Sequence, residues 1–179
     1  MVPIEIKGLD LMRVAHGITI ASEMASSLDS YYPHHHKEFG LDVRVNLALA
    51  RRFTSSQYIK AQQIRTRAIN VVNAVFKNID VIVTPTTGCT ATPIATDAIP
   101  HGDSDLSLLT KIMRYVFVGN LTGIPGLSVP VGYDPKGMPI GFQIMGRPFE
   151  EHLLLRLGRA VEQDVILRKP PLYFDILGE

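Results

Sequence analysis

The 179-residue chain has a single cysteine, little net charge and no long apolar run. The lone thiol of Cys89 excludes an internal disulfide bond and is typical of a reducing compartment. A formal net charge of +1 provides no broad basic field, so nucleic acid is not expected as a partner. No window reaches the roughly 18 apolar residues of a membrane-spanning helix, and residues 1–8 lack the apolar core of a signal peptide. We therefore expect a cytoplasmic protein, or one attached peripherally to an intracellular membrane.

Sequence signatures of nucleotide binding and of serine hydrolysis are missing as well. No Gly-x-Gly-x-x-Gly occurs, and Met138 stands where a phosphate loop beginning at Gly132 needs lysine.

The serine pairs 26–27 and 55–56 lie in predicted helices without a neighbouring glycine, which favours surface or capping roles over nucleophilic ones. The histidine run 34–36 is interpreted as a solvated loop, since adjacent side chains on irregular backbone rarely converge on one metal ion. Three other histidines have no partner visible in the sequence: His16, His101 and His152. The residues alone indicate no catalytic centre, metal site or cofactor.

Apolar residues at three- and four-residue steps predict helices over about 11–30 and 40–53, and a third, long helix after Thr54. Thr54 and Gln57 have the spacing of a capping box at the start of the third helix. Its basic residues, Arg65 among them, are predicted to be solvated. The predicted buried stripes are, in order, Leu11, Val14, Ile18, Ala21, Ala25 and Leu28; Leu41, Val45, Leu49 and Phe53; and Ala61, Ile64, Ala68, Val71, Val75 and Phe76.

Strand patterns follow the long helix. Residues 79–85 are short, β-branched and apolar, which predicts a strand in the middle of a covered sheet. Residues 127–133 and 140–145 alternate in polarity around a type I turn at 134–137, which predicts a hairpin. Pro130 is expected at an edge, a bulge or a strand start, because it cannot donate a ladder hydrogen bond. Helix followed by buried strand predicts an α/β protein.

Two more helices are predicted in the second half of the chain. One begins after Asp103 or Ser104, and the other begins after Pro148 with a buried face that includes Leu154. The first has a stripe at Leu106, Thr110, Met113 and Phe117, apolar except for one hydroxyl. Two interpretations of this stripe stay open: plain core packing, or the wall of a lipophilic pocket.

Three motifs, in this order, resemble the carboxyl-terminal portion of the amidase-signature hydrolases, and within them the plant fatty acid amide hydrolases. The upstream stretch 50–65 looks like the long helix that precedes the buried strand in that family. The resemblance covers nearly the whole chain. The three motifs are Asp80-Val-Ile-Val-Thr-Pro-Thr86, Asn120-Leu-Thr-Gly-Ile-Pro-Gly-Leu-Ser-Val-Pro-Val-Gly132 and Gly137-Met-Pro-Ile-Gly-Phe-Gln-Ile-Met-Gly146.

The resemblance implies an α/β fold, part of a mixed-sheet α/β/α sandwich truncated on its amino-terminal side, with residues 1–179 as one incomplete domain. It also implies hydrolysis of a carboxamide by a Ser/Ser/Lys triad whose Gly-Gly-Ser-Ser-Gly-Gly motif does not occur in this chain. No catalytic residue is therefore assigned, and the chain alone is expected to be inactive. By the same resemblance, the following residues are expected to bind substrate: Phe53, Leu106, Thr110 and Met113 as walls of an acyl channel, and Thr84, Thr86, Asn120, Gly123 and Ile124 near the reaction centre.

The implied partner is a lipophilic amide such as an N-acylethanolamine, with homodimer formation and peripheral membrane contact as further expectations. A turn glycine such as Gly123 has an equally good structural explanation. The rival hypothesis is a non-catalytic module that binds acyl ligands or pairs with another amidase chain. Unpaired strand edges and apolar faces of an incomplete sheet favour such pairing.

Overall fold

The computed structural model describes residues 1–98 and 102–165 and shows a small antiparallel sheet with helices on both faces. The predicted tail after Pro170 lies outside these residues. The helices are α1 (Leu9–Ser27), α2 (Tyr32–His35), α3 (Leu41–Ala50), α4 (Ser55–Val75), α5 (Leu106–Ile112), α6 (Phe117–Thr122) and α7 (Glu151–Asp164). The strands are β1 (Ile82–Pro85), β2 (Gly126–Tyr133) and β3 (Pro139–Met145).

The three strands have the order β1-β3-β2, and both pairings are antiparallel. The hairpin prediction is confirmed: Gly137 donates its N–H to the carbonyl oxygen of Asp134 at 2.9 Å across the turn. Pro130 lies at a register shift in β2, an edge strand of this sheet, as expected. The prediction of a middle strand at 79–85 is wrong for the described sheet. There β1 lies at the edge, because β3 pairs with β1 on one side and with β2 on the other.

The sheet is covered on both faces, which confirms the predicted α/β/α sandwich. On one face α7 packs on β2 so closely that a Cβ at Gly158 would lie 2.5 Å from a Leu127 methyl carbon. On the other face a core joins the sheet to α1, α4 and α6. Its buried members are Met12, Ala68, Val72, Phe76, Ile82, Phe117, Val118, Leu121, Ile124 and Met145.

Helix α4 follows its sequence pattern. The capping box is confirmed: Gln57 donates its N–H to the Thr54 hydroxyl at 3.3 Å, and Thr54 donates its N–H to the Gln57 side chain at 2.8 Å. Ala61, Ala68 and Phe76 are buried as predicted. The prediction of a solvated Arg65 is wrong: its Nε donates to the carbonyl oxygen of Leu121 at 2.8 Å, which joins α4 to α6.

The predicted buried stripes of α1 and α3 are wrong in part, since Ile18, Ala21, Ala25, Leu28 and Phe53 are only half-buried and the other members are exposed. Leu11 and Val14 are exposed in α1, and Leu41, Val45 and Leu49 are exposed in α3. The buried residues are instead Met12, Ala15, His16 and Thr19 in α1, and Leu47 and Ala50 in α3. Both helices carry apolar residues around most of their circumference, so tertiary contact selects the buried face: α1 packs on α3, α4 and α6, and α3 packs on α1. The predicted loop at 33–37 is partly helical, since α2 ends at His35.

The predicted helix through Leu106 and Phe117 is divided into α5 and α6. Near this division, donors from distant segments form hydrogen bonds with backbone carbonyl groups. The N–H of Gly88 donates to Lys111 O at 3.0 Å, and Gln143 Nε2 donates to Tyr115 O at 3.2 Å. The stripe therefore does not lie on one continuous helix.

Arg147, just after β3, joins three segments. Its Nη2 donates to the carbonyl oxygens of Phe76 at 2.5 Å and Ile79 at 2.7 Å, which lie just after α4. Its Nη1 donates to a Glu150 carboxylate oxygen at 3.1 Å before α7. The guanidinium thus bonds the carbonyl group of Phe76, the C-cap of α4, and that of Ile79 in the segment that leads to β1.

His16 joins α1 to α6. Its Nε2 lies 3.1 Å from Nδ2 of Asn120, so a neutral imidazole accepts a hydrogen bond from the amide. Burial lowers the pKa of His16 below its usual 6.5, because the charged form loses hydration. A neutral His16 is the form that fits this contact.

We expect Arg147→Met to lower the free energy of unfolding by about 1.5–3 kcal/mol, the range for hydrogen bonds to a charged group. Arg159→Met is the matched control, because Arg159 is 69% exposed and pairs with Glu162 three residues on; its effect should stay below about 0.5 kcal/mol. Urea unfolding at neutral pH measures both. Equal losses in the two variants would contradict the assigned role of Arg147.

We expect the pH dependence of stability to contain a His16 contribution. The folded-state pKa is below the unfolded value of 6.5, so this contribution is fully present above pH 6.5 and is lost as the pH falls below it. Urea unfolding at pH 7.5 and 5.5 measures this contribution. Between these two pH values, the free energy of unfolding should fall less for His16→Gln than for the unchanged chain. The exposed His152 provides the control substitution, His152→Gln. The same pH dependence in all three proteins would contradict the assignment.

Candidate functional site

A largely apolar cavity of about 490 Å³ lies between α1, α3 and α5, and we call it the α1–α5 cavity. Helix α1 provides one wall along about three turns. That wall consists of Arg13, His16, Gly17, Ile20, Ala21 and Met24. The facing walls consist of Asn46, Leu49 and Phe53 from α3 and the residues after it, and of Leu109, Thr110, Met113 and Phe117 from α5 to α6.

The polar groups of this cavity are few. Among the described residues that line it, Arg13 is the only one with a fixed charge, and none is acidic. Thr110 donates its hydroxyl hydrogen to Leu106 O at 2.8 Å, and Asn46 Nδ2 donates to Asp42 O at 2.9 Å. The hydroxyl hydrogen of Thr110 and one amide hydrogen of Asn46 are thus bonded within their own helices, α5 and α3. The space is suited to an apolar chain that carries few polar groups.

The structure brings together three of the four residues expected to wall an acyl channel. Phe53, Thr110 and Met113 all line the α1–α5 cavity. Leu106 does not line it, and 64% of this residue is exposed. Leu106 is the first residue of α5, one turn before Thr110 on the same helix face. It therefore precedes the part of α5 that lines the cavity, which begins at Leu109.

A second group of expected residues lines another cavity. Asn120, Gly123 and Ile124 contribute to a space of about 550 Å³ between the end of α6, β2 and the start of α7, which we call the α6–β2 cavity. Each of the three also has a structural role. Asn120 bonds His16, Gly123 ends α6 at φ 75°, and Ile124 belongs to the buried core.

Thr84 and Thr86 lie on and just after β1 and do not reach either of these cavities. Thr84 accepts a hydrogen bond from Gln143 Nε2 at 3.0 Å and lines a smaller space of about 370 Å³ beside α1, the α1–β1 cavity. The Thr86 hydroxyl lies 2.5 Å from that of Ser128 and packs over Gly141. A Cβ at Gly141 would come within 2.6 Å of the Thr86 oxygen, so glycine is needed there.

Sequence reasoning missed the contribution of α1. Neither Arg13 nor His16 was identified as a cavity residue, and Ala21 alone of the described α1 residues lining this cavity belongs to the predicted buried stripe. One signal was available: Gly17 stands inside a helix, where glycine costs about 1 kcal/mol relative to alanine, so a packing or functional reason for it is expected. A Cβ at Gly17 would meet no heavy atom within 4 Å, which shows open space beside it.

Across residues 1–98 and 102–165, no three His, Cys, Asp or Glu side chains are grouped so as to hold a metal ion. Over the same residues, no helix is both long and apolar enough to cross a bilayer.

Comparison with known proteins finds relatives that match most of this chain. Residues 8–155 match the family model described as Amidase. The chain is 44% identical over 180 residues to a fatty acid amide hydrolase of Arabidopsis thaliana, covering 99% of this chain and 30% of that protein. It is 35% identical to a glutamyl-tRNA(Gln) amidotransferase subunit of Brevibacillus brevis over 155 residues, covering 84% of this chain and 30% of that protein. The chain thus spans about a third of the length of these relatives.

Solved structures show the same fold at lower identity. A bacterial aryl acylamidase of the amidase-signature family has a TM-score of 0.72 at 23% identity, over 90% of this chain and 35% of that one. A 6-aminohexanoate cyclic dimer hydrolase solved with its substrate has a TM-score of 0.71 at 19% identity, over 88% of this chain and 36% of that one. Since the family model covers most of the described helices and all three strands, the chain belongs to the amidase-signature family.

Proposed function

We propose that this chain is the carboxyl-terminal portion of a serine amidase that hydrolyses long-chain carboxamides such as N-acylethanolamines. In this proposal residues 1–179 form one incomplete domain, and the Ser/Ser/Lys triad belongs to another part of the amidase. The chain supplies the walls of the substrate site. The single observation that carries the proposal is the α1–α5 cavity, an apolar space of about 490 Å³ in which Phe53, Thr110 and Met113 meet.

The chemistry of the cavity supports a long apolar substituent. Ile20, Met24, Phe53 and Met113 offer apolar surface, and methionine side chains adapt to flexible chains. Burying a methylene group stabilises a complex by about 0.8 kcal/mol, so a chain of many methylenes gains more here than a short acyl group. The 44% identity to a plant fatty acid amide hydrolase supports the same substrate class.

The remaining expected residues are proposed to act at the reaction centre rather than in the acyl channel. Asn120, Gly123 and Ile124 share the α6–β2 cavity, whereas Thr84 and Thr86 lie at the end of β1. Such strand ends are common ligand positions in α/β proteins. The exposed position of Leu106 argues against a wall role in this chain by itself, and we propose that it covers the open side of the channel.

A second candidate function is a non-catalytic module that binds acyl ligands or pairs with a second amidase chain, including a homodimer. The observation that favours it is the exposed apolar stripe on α3, formed by Leu41, Val45 and Leu49. Apolar surface of this kind at the edge of a cavity is typical of contact with a partner protein or a membrane.

We expect Gly17→Leu to weaken binding of N-lauroylethanolamine by at least about tenfold, which is the loss of about two buried methylenes. The leucine fills cavity space without a backbone clash and is a better helix former than glycine. Isothermal titration calorimetry measures the affinity, with Ala74→Leu on the exposed face of α4 as control. Unchanged affinity in a folded Gly17→Leu protein would contradict the cavity as the acyl site.

We expect the 179-residue chain to show no serine-dependent hydrolysis of N-palmitoylethanolamine, because it lacks the Gly-Gly-Ser-Ser-Gly-Gly motif. A chimera in which it replaces the matching stretch of the Arabidopsis thaliana relative should hydrolyse this amide, and Gly17→Leu should reduce its kcat/KM. Liberated ethanolamine is the measured product. Turnover by the chain alone would overturn the assignment of the nucleophile elsewhere. A folded but inactive chimera would favour the non-catalytic candidate.

A further inference from the structure

One buried amide in the wall of the α6–β2 cavity has a fixed orientation. Gln143 is only 8% exposed, and its Nε2 donates to Thr84 Oγ1 at 3.0 Å and to Tyr115 O at 3.2 Å. Since a backbone carbonyl oxygen can only accept, the contact with Tyr115 determines which end of the amide is the nitrogen. Both hydrogens of the amide are used in this way, and its Oε1 is the polar atom that remains.

This remaining oxygen is a hydrogen-bond acceptor in the α6–β2 cavity. Thr84 and Tyr115 line the α1–β1 cavity, whereas Gln143 lines the α6–β2 cavity. Across residues 1–98 and 102–165, Oε1 of Gln143 accepts no hydrogen bond. Among the described residues that are not exposed, the only fully buried side-chain N or O atom without a partner is Arg13 Nε. Oε1 of Gln143 therefore keeps accessible surface, and that surface faces the α6–β2 cavity.

Asn120 provides a second acceptor to the same cavity. Its Nδ2 lies 3.1 Å from Nε2 of His16, which lines the α1–α5 cavity. Burial lowers the pKa of His16, and the neutral imidazole accepts a hydrogen bond from the amide. Asn120 itself is exposed and lines the α6–β2 cavity, so the Oδ1 at the other end of its amide is left for a ligand. The two cavities are neighbours across this contact.

The rim of the α6–β2 cavity is suited to a cation. Glu151 is the only charged residue among the described residues that line it, and its position in the first turn of α7 offsets the partial positive charge of the helix start. Phe149 is 91% exposed and has a φ of 66°, a strained left-handed conformation of the kind found at functional sites. The face of an aromatic ring attracts ammonium groups. Two amide oxygens, a carboxylate and a ring together match a protonated amine.

We infer that the α6–β2 cavity binds small protonated amines, with Gln143 Oε1 and Asn120 Oδ1 as acceptors and with Glu151 and Phe149 at its rim. This rests on the proposed function, because hydrolysis breaks the C–N bond of an amide, adds the oxygen of water to the acyl carbon and releases the nitrogen as an amine. The cavity then favours amides whose amine side carries donors or a positive charge. It disfavours N-acyl amino acids, since their carboxylate has no donor and is repelled by Glu151.

The test follows the side-chain amide signals of Asn120 and Gln143 by NMR in the 15N-labelled 179-residue chain, at pH 7 and constant ionic strength. Ethanolammonium, the probe, is the protonated form of ethanolamine at this pH. It should shift both signals with a dissociation constant of about 10 mM, as expected for a very small ligand with a few hydrogen bonds. Glycolate, which has a similar size and the opposite charge, should bind at least about tenfold more weakly.

Glu151→Gln should weaken ethanolammonium binding about two- to fivefold, the effect of one exposed ion pair. Asp164→Asn makes the same change of charge at the other end of α7 and is the matched control, because this residue is exposed and does not line the cavity. The side-chain signal of Asn73, on the exposed face of α4, should not shift with either probe.

Equal or tighter binding of glycolate overturns the amine site and favours an anion at the start of α7. Ethanolammonium binding that leaves the signals of Asn120 and Gln143 unchanged places the amine elsewhere and also overturns it. Equal affinities in Glu151→Gln and Asp164→Asn contradict the assigned rim. The comparison of probes uses the unchanged chain, so it decides even if a variant does not fold. Each of these results leaves the α1–α5 cavity untouched, and N-lauroylethanolamine binding with its loss in Gly17→Leu decides the proposed function separately.

Discussion

The structure depends on the burial of β3 from both faces. This strand pairs with β1 and β2 simultaneously, and its last three residues, Gln143, Ile144 and Met145, are all buried. Met145 belongs to the core shared with α4 and α6. Because neighbouring strand residues point to opposite faces, α7 must cover the other side. A strand enclosed in this way fixes the layer order of the whole sandwich.

The polar contacts at the end of β3 transmit this constraint to the cavities. Gln143 donates to both Thr84 and the carbonyl oxygen of Tyr115, so the centre of the sheet holds the turn between α5 and α6. That turn sets the direction of α5, whose residues Thr110 and Met113 face α1 across the cavity. A single buried glutamine thereby connects sheet packing with the shape of the proposed acyl site. Leaving its amide unsatisfied would cost about 1–3 kcal/mol.

Local signals in the sequence were sufficient for much of the fold. The capping box at Thr54, the turn at 134–137 and the inward stripe of α4 depend on neighbouring residues, and all three are found in the structure. The buried faces of α1 and α3 were predicted wrongly, because apolar residues surround both helices and only tertiary contact selects a face. The division of α5 from α6 requires donors from Gly88 and Gln143, which are distant in sequence, so helical periodicity could not reveal it.

The candidate site shows the same division between local and distant information. Phe53, Thr110 and Met113 were expected by family resemblance and share one cavity, but Leu106 lies outside it. The α1 wall, which includes Arg13 and His16, was not found, since its role depends on the residues that pack opposite it. Gly17 could be recognised in the sequence as an unusual helical residue. A helical glycine alone, however, does not predict which cavity lies beside it.

The central claim is that the α1–α5 cavity is the acyl site, and the most direct measurement is a crystal structure with an N-acylethanolamine brominated at the end of its acyl chain. Anomalous scattering locates the bromine without reference to the protein density. We predict a peak between α1, α3 and α5, within contact distance of residues such as Met24 or Phe53. A peak in the α6–β2 cavity, or a bound ligand outside the α1–α5 cavity, would contradict it.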